Sequence, residues 1–285
     1  TPNLVRRAPG AKAFMCDSGL SSFGMASIDT IEQACTILAA AGRPLLVHAE
    51  LVSDQPPWAG PETRHDSWAA TRPPRFEHDA VRELARIASR TGAHIHVVHV
   101  SQPDTERIAS TTLAGEGGGG RLTFETCPHY LTLAAEDVPD RGVAFKCAPP
   151  LQPAARIAAL RTWVLESDVL IASDHSPAPP ALKAIEDGSF ARAWGGIASL
   201  QLGLPLMVTM FHDMQVRDAA ERIARAMAFA PAQLAGMPSK GRIARGADAD
   251  FVAVDPHATW TVVGESLQHR WPLTPYEGMH LRGRV

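Results

Sequence analysis

Ala93-His94-Ile95-His96-Val97-Val98-His99-Val100 is an apolar, β-branched run with the length of one buried strand, and it closes on a histidine. The same texture recurs on either side of it. Leu45-Leu46-Val47-His48 lies upstream, and Leu122 to Thr126 and Val169 to Ser173 lie downstream. Between these runs the apolar spacing becomes helical: Phe76 to Ser89, a polar helix from Asp104 to about Leu113, and Ala154 to Trp163. Short buried strands alternating with helices of this length are βαβ units, so the expected class is α/β with a parallel sheet.

Composition fits that class. The 285 residues are 45% hydrophobic and 20% charged, enough for one large domain, or a large one and a small one. A net charge of −3 and the absence of any basic run of five residues give no reason to expect nucleic acid or an acidic membrane as partner. Cys16, Cys35, Cys127 and Cys147 form no C-x-x-C pair and read as reduced cytosolic thiols. No charged and apolar leader follows Thr1, so no signal peptide is expected. Ala193 to Phe211 is the most apolar stretch, but Gly195, Gly196, Gln201 and Pro205 make it a glycine loop followed by a buried helix rather than a membrane span. The tract Gly117 to Gly120 reads as a turn or flexible tip, since no Lys-Ser/Thr follows to make a phosphate loop.

Polar residues mark the ends of the strand runs. Lys12 precedes Ala13-Phe14-Met15, His48 closes its run, His99 ends the run from Ile95, and Asp174 ends Leu170-Ile171-Ala172-Ser173. Each alone has an ordinary explanation: a structural histidine, a surface cation, an aspartate capping a turn. Together, four such residues at the carboxyl ends of successive strands would converge on the mouth of a barrel, where active sites are built. Imidazoles and a carboxylate suit zinc and similar ions. Alternation places His94, His96 and residue 98 on one face of their strand and His99 on the other, so His94 and His96 are expected to pack rather than ligate.

Several short stretches, in order, resemble the cyclic amidohydrolases, the group of hydantoinases, dihydropyrimidinases, dihydroorotases and allantoinases. They are Leu46-Val47-His48-Ala49-Glu50, His96-Val97-Val98-His99-Val100-Ser101, Glu125-Thr126-Cys127-Pro128-His129-Tyr130, Lys146-Cys147-Ala148-Pro149-Pro150 and Ser173-Asp174-His175-Ser176-Pro177. Ala178-Pro179-Pro180, Lys183 and Ala193-Trp194-Gly195-Gly196-Ile197 are similar to allantoinases in particular.

The resemblance implies a (β/α)8 TIM-type barrel of which about strands 4–8 are present, over residues 1–235. It implies part of a small β-sandwich appendage over 236–285, in which Lys240 to Pro256 runs from tight turns into alternating strand residues. The chain then reads as cut short at both ends and is expected to be inactive alone. The implied activity is hydrolysis of allantoin to allantoate, with other cyclic amides and a non-catalytic scaffold as alternatives. Lys12 would be N6-carboxylated by carbon dioxide and bridge two divalent ions, zinc being the expected metal. His48 and His99 would hold the more exposed ion, and Asp174 the buried one. Asp174 would also be the general acid and base. Ala148, Gly195 and Gly196 would meet the substrate amide through their backbone. The intact enzyme is expected to be a cytoplasmic homo-oligomer acting on a small molecule. Two departures stand out. The family's His-x-His on the first barrel strand should lie far upstream of the lysine, where only eleven residues precede it, and Ala148 replaces a common serine.

Overall fold

A computed structural model describes residue 5 and residues 7–285; Thr1, where the reading of the chain's start falls, lies outside them. The described chain forms two compact units. The first comprises residues up to 55, 72–126 and 234–236, and the second comprises 56–71, 127–233 and 237–285.

In the first unit β1 (Ala11–Phe14), β2 (Leu45–His48), β3 (His94–Val97) and β4 (Arg121–Thr126) pair in chain order, all parallel. The connections are α1 (Ile28–Ala40), α3 (Arg75–Thr91) and α4 (Thr105–Glu116); the short α2 (His65–Ala70) belongs to the second unit. The register puts Ala11, Leu45, Ile95 and Leu122 in one row and Lys12, Leu46, His96 and Thr123 in the next. Rows alternate between faces. Leu45, Val47, Ile95 and Val97 are therefore on one face and fully buried. The buried stripe of α3, Ala80, Val81, Leu84, Ile87 and Ala88, faces the sheet and α4. Truncating one of these to alanine, as in Leu84→Ala, would cost about 2–5 kcal/mol. The opposite face carries Lys12, Phe14, His48, His94, His96, Thr123 and Glu125.

Helix α1 was not anticipated. Its local signal is Ser27, whose hydroxyl accepts the Thr30 N–H as an N-cap, with Asp29 in the first turn. The glycine tract is not a free tip. Gly117 ends α4 in the left-handed region, and a Cβ on Gly120 would meet the Ala88 carbonyl oxygen at 2.0 Å, so α3 requires a glycine there.

The second unit holds α2, α5 (Pro128–Thr132), α6 (Ala154–Glu166), β5 (Leu170–Ile171) and α7 (Gly203–Asp213), then α8 (Ala219–Ala224) and all but the last residue of α9 (Ala230–Leu234), joined by a π-turn over Arg225–Phe229. One core cluster is Trp68, Val143, Phe190 and Ala193. The stretch ending at Phe211 is, as expected, a glycine loop followed by a buried helix, α7. Among the described residues no helix is long and apolar enough to cross a membrane. β6 (Asp255–Thr261) and β7 (His280–Arg284) pair antiparallel. Of the stretch Lys240 to Pro256, expected to pass from tight turns into strand, only Asp255 and Pro256 lie in a strand, β6; residues 251–254 have no regular structure, and Phe251 is 70% exposed. Strand residues need a partner to satisfy their backbone, and β7 takes up its pairing only from Asp255 onward.

Candidate functional site

The first unit brings His48 and His99 together. His48 is the last residue of β2, and its Nδ1 lies 3.0 Å from His99 Nε2, with both residues buried. Strict alternation had sent His99 to the opposite face, and that expectation is corrected. β3 ends at Val97, and His99 has a φ of 43°, a left-handed backbone that turns the ring back to His48. The other nitrogen of His48, Nε2, is 2.7 Å from Glu50 Oε2. Glu50 is acceptor-only, so Nε2 carries a proton. Burial alone would lower the His48 pKa, but its contacts with Cys16 and Glu50 outweigh burial and lift it to about 9.

Arg72 closes this group. Its Nη1 donates to Glu50 at 2.7 Å and lies 3.6 Å from Cys16 Sγ. Cys16, His48 and Glu50 gather their ligand atoms within 4.8 Å, a spacing that suits a metal. A guanidinium between the thiol and the carboxylate already supplies the positive charge, so this trio supports His48 instead of forming a separate cation site. All four cysteines are buried, and none is in a disulfide.

Lys12 is not at the end of its strand, contrary to the sequence reading. It is the second of four residues in β1, exposed and level with Leu46, with its Nζ 5.0 Å from the Phe14 ring centroid. Phe14 in turn stacks on His48 at 5.0 Å. Two residues of parallel strand are about 6–7 Å, an offset that the long lysine stem covers, and register puts Lys12 on the same face as His48. His94 and His96 share the Thr123 hydroxyl at 2.8 Å each, and His96 Nε2 is 3.0 Å from Glu125. They are tied to β4, as a packing role requires.

In the second unit Asp174 lies beyond the end of β5, exposed, with a φ of 43°. The next residue, His175, accepts the Ser199 and Leu200 N–H groups at its Nδ1, both at 3.0 Å, which anchors the turn. The three backbone positions expected at the substrate belong to one cross-linked corner. Lys146 O accepts Gly196 N–H and Lys183 Nζ, both at 2.9 Å, and Lys183 also donates to Trp194 O at 3.0 Å. Lys146 Nζ donates to Ala193 O, and Trp68 Nε1 to Cys147 O. Burial pushes the Lys183 pKa down to about 7, while two carbonyl acceptors favour its charged form. Trp194 Nε1 donates to Ser176 Oγ at 2.8 Å, and a Cβ on Gly196 would meet that oxygen at 2.4 Å. Gly196 must be glycine, and its N–H is committed to Lys146. Lys183, Arg72 and Glu50 were the functional side chains to which the sequence alone assigned no role.

The donor set fits a divalent ion at His48 and His99. Two nitrogens on one tetrahedral zinc, each about 2.0–2.1 Å from it, would be about 3.3 Å apart, close to the 3.0 Å observed. A carboxylate behind a ligating histidine, as Glu50 stands behind His48, is the usual companion of such a site.

No protein-family model matches the chain. Over 97% of its length it is 37% identical to an allantoinase of Arabidopsis thaliana, of which it spans 56%, and 38% identical to an allantoinase of Streptomyces avermitilis, of which it spans 61%. The chain thus spans somewhat more than half the length of these curated relatives. Among solved structures, an L-hydantoinase (dihydropyrimidinase) from Arthrobacter aurescens superposes with a TM-score of 0.86 over 99% of this chain and 63% of its own, at 24% identity. That likeness carries the fold, an α/β barrel with a parallel sheet. Over nearly its whole length the chain is thus similar to curated allantoinases, and its fold is that of a hydantoinase.

Proposed function

We propose that the protein opens the hydantoin ring of allantoin by hydrolysis, giving allantoate, with Lys12, His48, His99 and Asp174 as its working side chains. The observation that carries this reading is the pair of buried imidazoles facing each other at 3.0 Å, one of them backed by Glu50. A merely structural histidine pair has no need of a carboxylate and an arginine behind it. The curated relatives named allantoinase support the choice of substrate class.

His48 and His99 would hold one divalent ion, zinc by the chemistry of imidazole donors. Lys12, N6-carboxylated, and Asp174 would hold a second. When bound, such ions activate water and polarise the amide carbonyl. The chain's own residues do the rest. Asp174 accepts a proton from the attacking water through a carboxylate oxygen. As the ring C–N bond breaks, it returns that proton to the departing nitrogen, leaving a carboxylate and a ureido group on the product. Ala148 and Gly195 offer backbone groups to the ring amide, and Gly196 holds the turn through Lys146. We place the protein in the cytoplasm as a homo-oligomer. We divide it at residue 235 into barrel and appendage, a division supported by the change from parallel β1–β4 to antiparallel β6–β7.

The test is a substrate panel on the full-length protein: allantoin, hydantoin, dihydrouracil and dihydroorotate, with zinc and bicarbonate supplied. Preferential turnover of allantoin supports the reading. Preference for hydantoin or dihydrouracil replaces it with another cyclic amide. No turnover on any member points to a scaffold.

A further inference from the structure

The segment Arg72-Pro73-Pro74-Arg75-Phe76-Glu77 enters the first turn of α3, and its residues reach in two directions. Toward β2, Arg72 donates to Glu50 at 2.7 Å, Arg75 donates to Asp54 O at 2.6 Å, and Phe76 O accepts Leu51 N–H at 2.9 Å. Toward the turn after β3, the Glu77 carboxylate accepts four bonds. Oε2 takes Ser101 N–H and Oγ at 3.0 and 2.7 Å, and Oε1 takes Gln102 N–H and Thr105 Oγ1 at 3.1 and 2.6 Å. Glu77 is 4% exposed and Phe76 1%, so the segment is embedded. Two consecutive prolines restrict the backbone between the two anchors.

We infer that Arg72–Glu77 is a strut that sets the separation of His48 and His99, with Arg72 acting through Glu50 on one ring and Glu77 acting through the Ser101–Thr105 turn on the other. This rests on the reading of those histidines as metal ligands. Neither end of the strut touches both rings. It holds Glu50, bonded to His48, and the residues two to six positions after His99, whose left-handed backbone depends on where that turn leads. Arg72 and Glu77 are positioning residues, and partners in this outer layer of a metal site affect affinity about 10–100-fold.

The experiment uses the full-length protein, metal-free and titrated with zinc against a chromophoric chelator, with thermal unfolding followed alongside. Arg72→Lys and Glu77→Gln are each expected to weaken zinc binding about 10–100-fold; Glu77→Asp serves if the glutamine variant does not fold. Gly120→Ala strains the other end of α3 at Ala88 and is expected to lower the unfolding midpoint while keeping parental zinc affinity. His48→Ala and His99→Ala are expected to abolish tight binding at that site. If the histidine variants lose zinc but Arg72→Lys and Glu77→Gln bind as the parent does, the strut is overturned and the metal reading stands. If Gly120→Ala weakens zinc as much as they do, the effect is general stability and the strut is again overturned. If His48→Ala binds zinc normally, the metal reading falls and the strut with it.

Discussion

His48 and His99 present ring nitrogens to each other at 3.0 Å, while the far nitrogen of His48 is held 2.7 Å from Glu50. With its pKa lifted to about 9, His48 carries a proton on each ring nitrogen at neutral pH, Nε2–H facing Glu50 and Nδ1–H facing His99. A divalent ion would take the place of the Nδ1 proton and leave the Nε2 proton on Glu50, the form in which imidazole ligates a metal. In the full-length protein, His48→Ala or His99→Ala is therefore expected to remove one bound ion per chain and to reduce allantoin turnover by more than ~100-fold, the upper end of what losing a supporting partner costs. Elemental analysis beside a turnover assay checks this; parental metal content in both variants would refute the assignment.

Asp174→Asn should lower kcat about 10²–10⁴-fold with KM little changed, because an amide cannot carry the proton from water to the departing nitrogen. Steady-state kinetics with metal content verified decides it. A near-parental kcat removes Asp174 from the proton path.

Gly196→Ala and Gly195→Ala are adjacent changes with different expected outcomes. At Gly196 the new methyl would lie 2.4 Å from Ser176 Oγ, breaking the Trp194–Ser176 bond, whereas at Gly195 the nearest atom, Ala148 Cβ, is 3.7 Å away. The first is expected to cost about 1–3 kcal/mol of stability and to raise KM, and the second to leave stability within about 0.5 kcal/mol. Equal unfolding midpoints for the two would show that the corner is slacker than its contacts imply.

Acid should destabilise the second unit before carboxylates titrate. Burial lowers the His65 pKa to about 4 and the His129 pKa to about 3, and His129 has no hydrogen-bond partner at either ring nitrogen. In the unfolded chain both take a proton near pH 6.5, and in the folded chain they refuse it. The unfolded state therefore binds more protons below pH 6.5, so stability is full above that value and falls as pH drops toward 4 and 3. At about 1.4 kcal/mol per pH unit, His129 alone contributes a loss of about 3 kcal/mol by pH 4. Urea unfolding at pH 7, 5.5 and 4.5, with His129→Gln as comparison, measures it; a parent whose midpoint stays flat from pH 7 to 4.5 would contradict the assignment.

How far the residues could be read in advance depended on the range of the interaction. The repeat of apolar residues located β2, α3, β4 and α6 to within a few positions, because burial on one face is written along each element. His48 was legible at a strand end for the same reason. Lys12 was misjudged because the end of β1 is set by its pairing with β2, and a lysine reaches over two residues. His99 was assigned the wrong face because alternation ceases where the ladder stops, and nothing local announces a φ of 43° there. Arg72 and Glu77 gave no signal at all, since their partners lie 22 to 56 residues away and meet them only through tertiary packing. Phe251–Val254 had strand texture without a neighbour to pair with.

His99 and Asp174, one in each unit, are non-glycine residues with the same left-handed φ of 43°. Such backbone costs on the order of 1–3 kcal/mol, and glycine would relieve it. Natural selection for a stable fold and selection for the proposed chemistry therefore pull against each other at both positions. A descendant of this gene freed from its reaction would gain stability by letting these two side chains go. In lineages that have lost the activity, glycine or asparagine at 99 and 174 is the substitution expected to accumulate earliest.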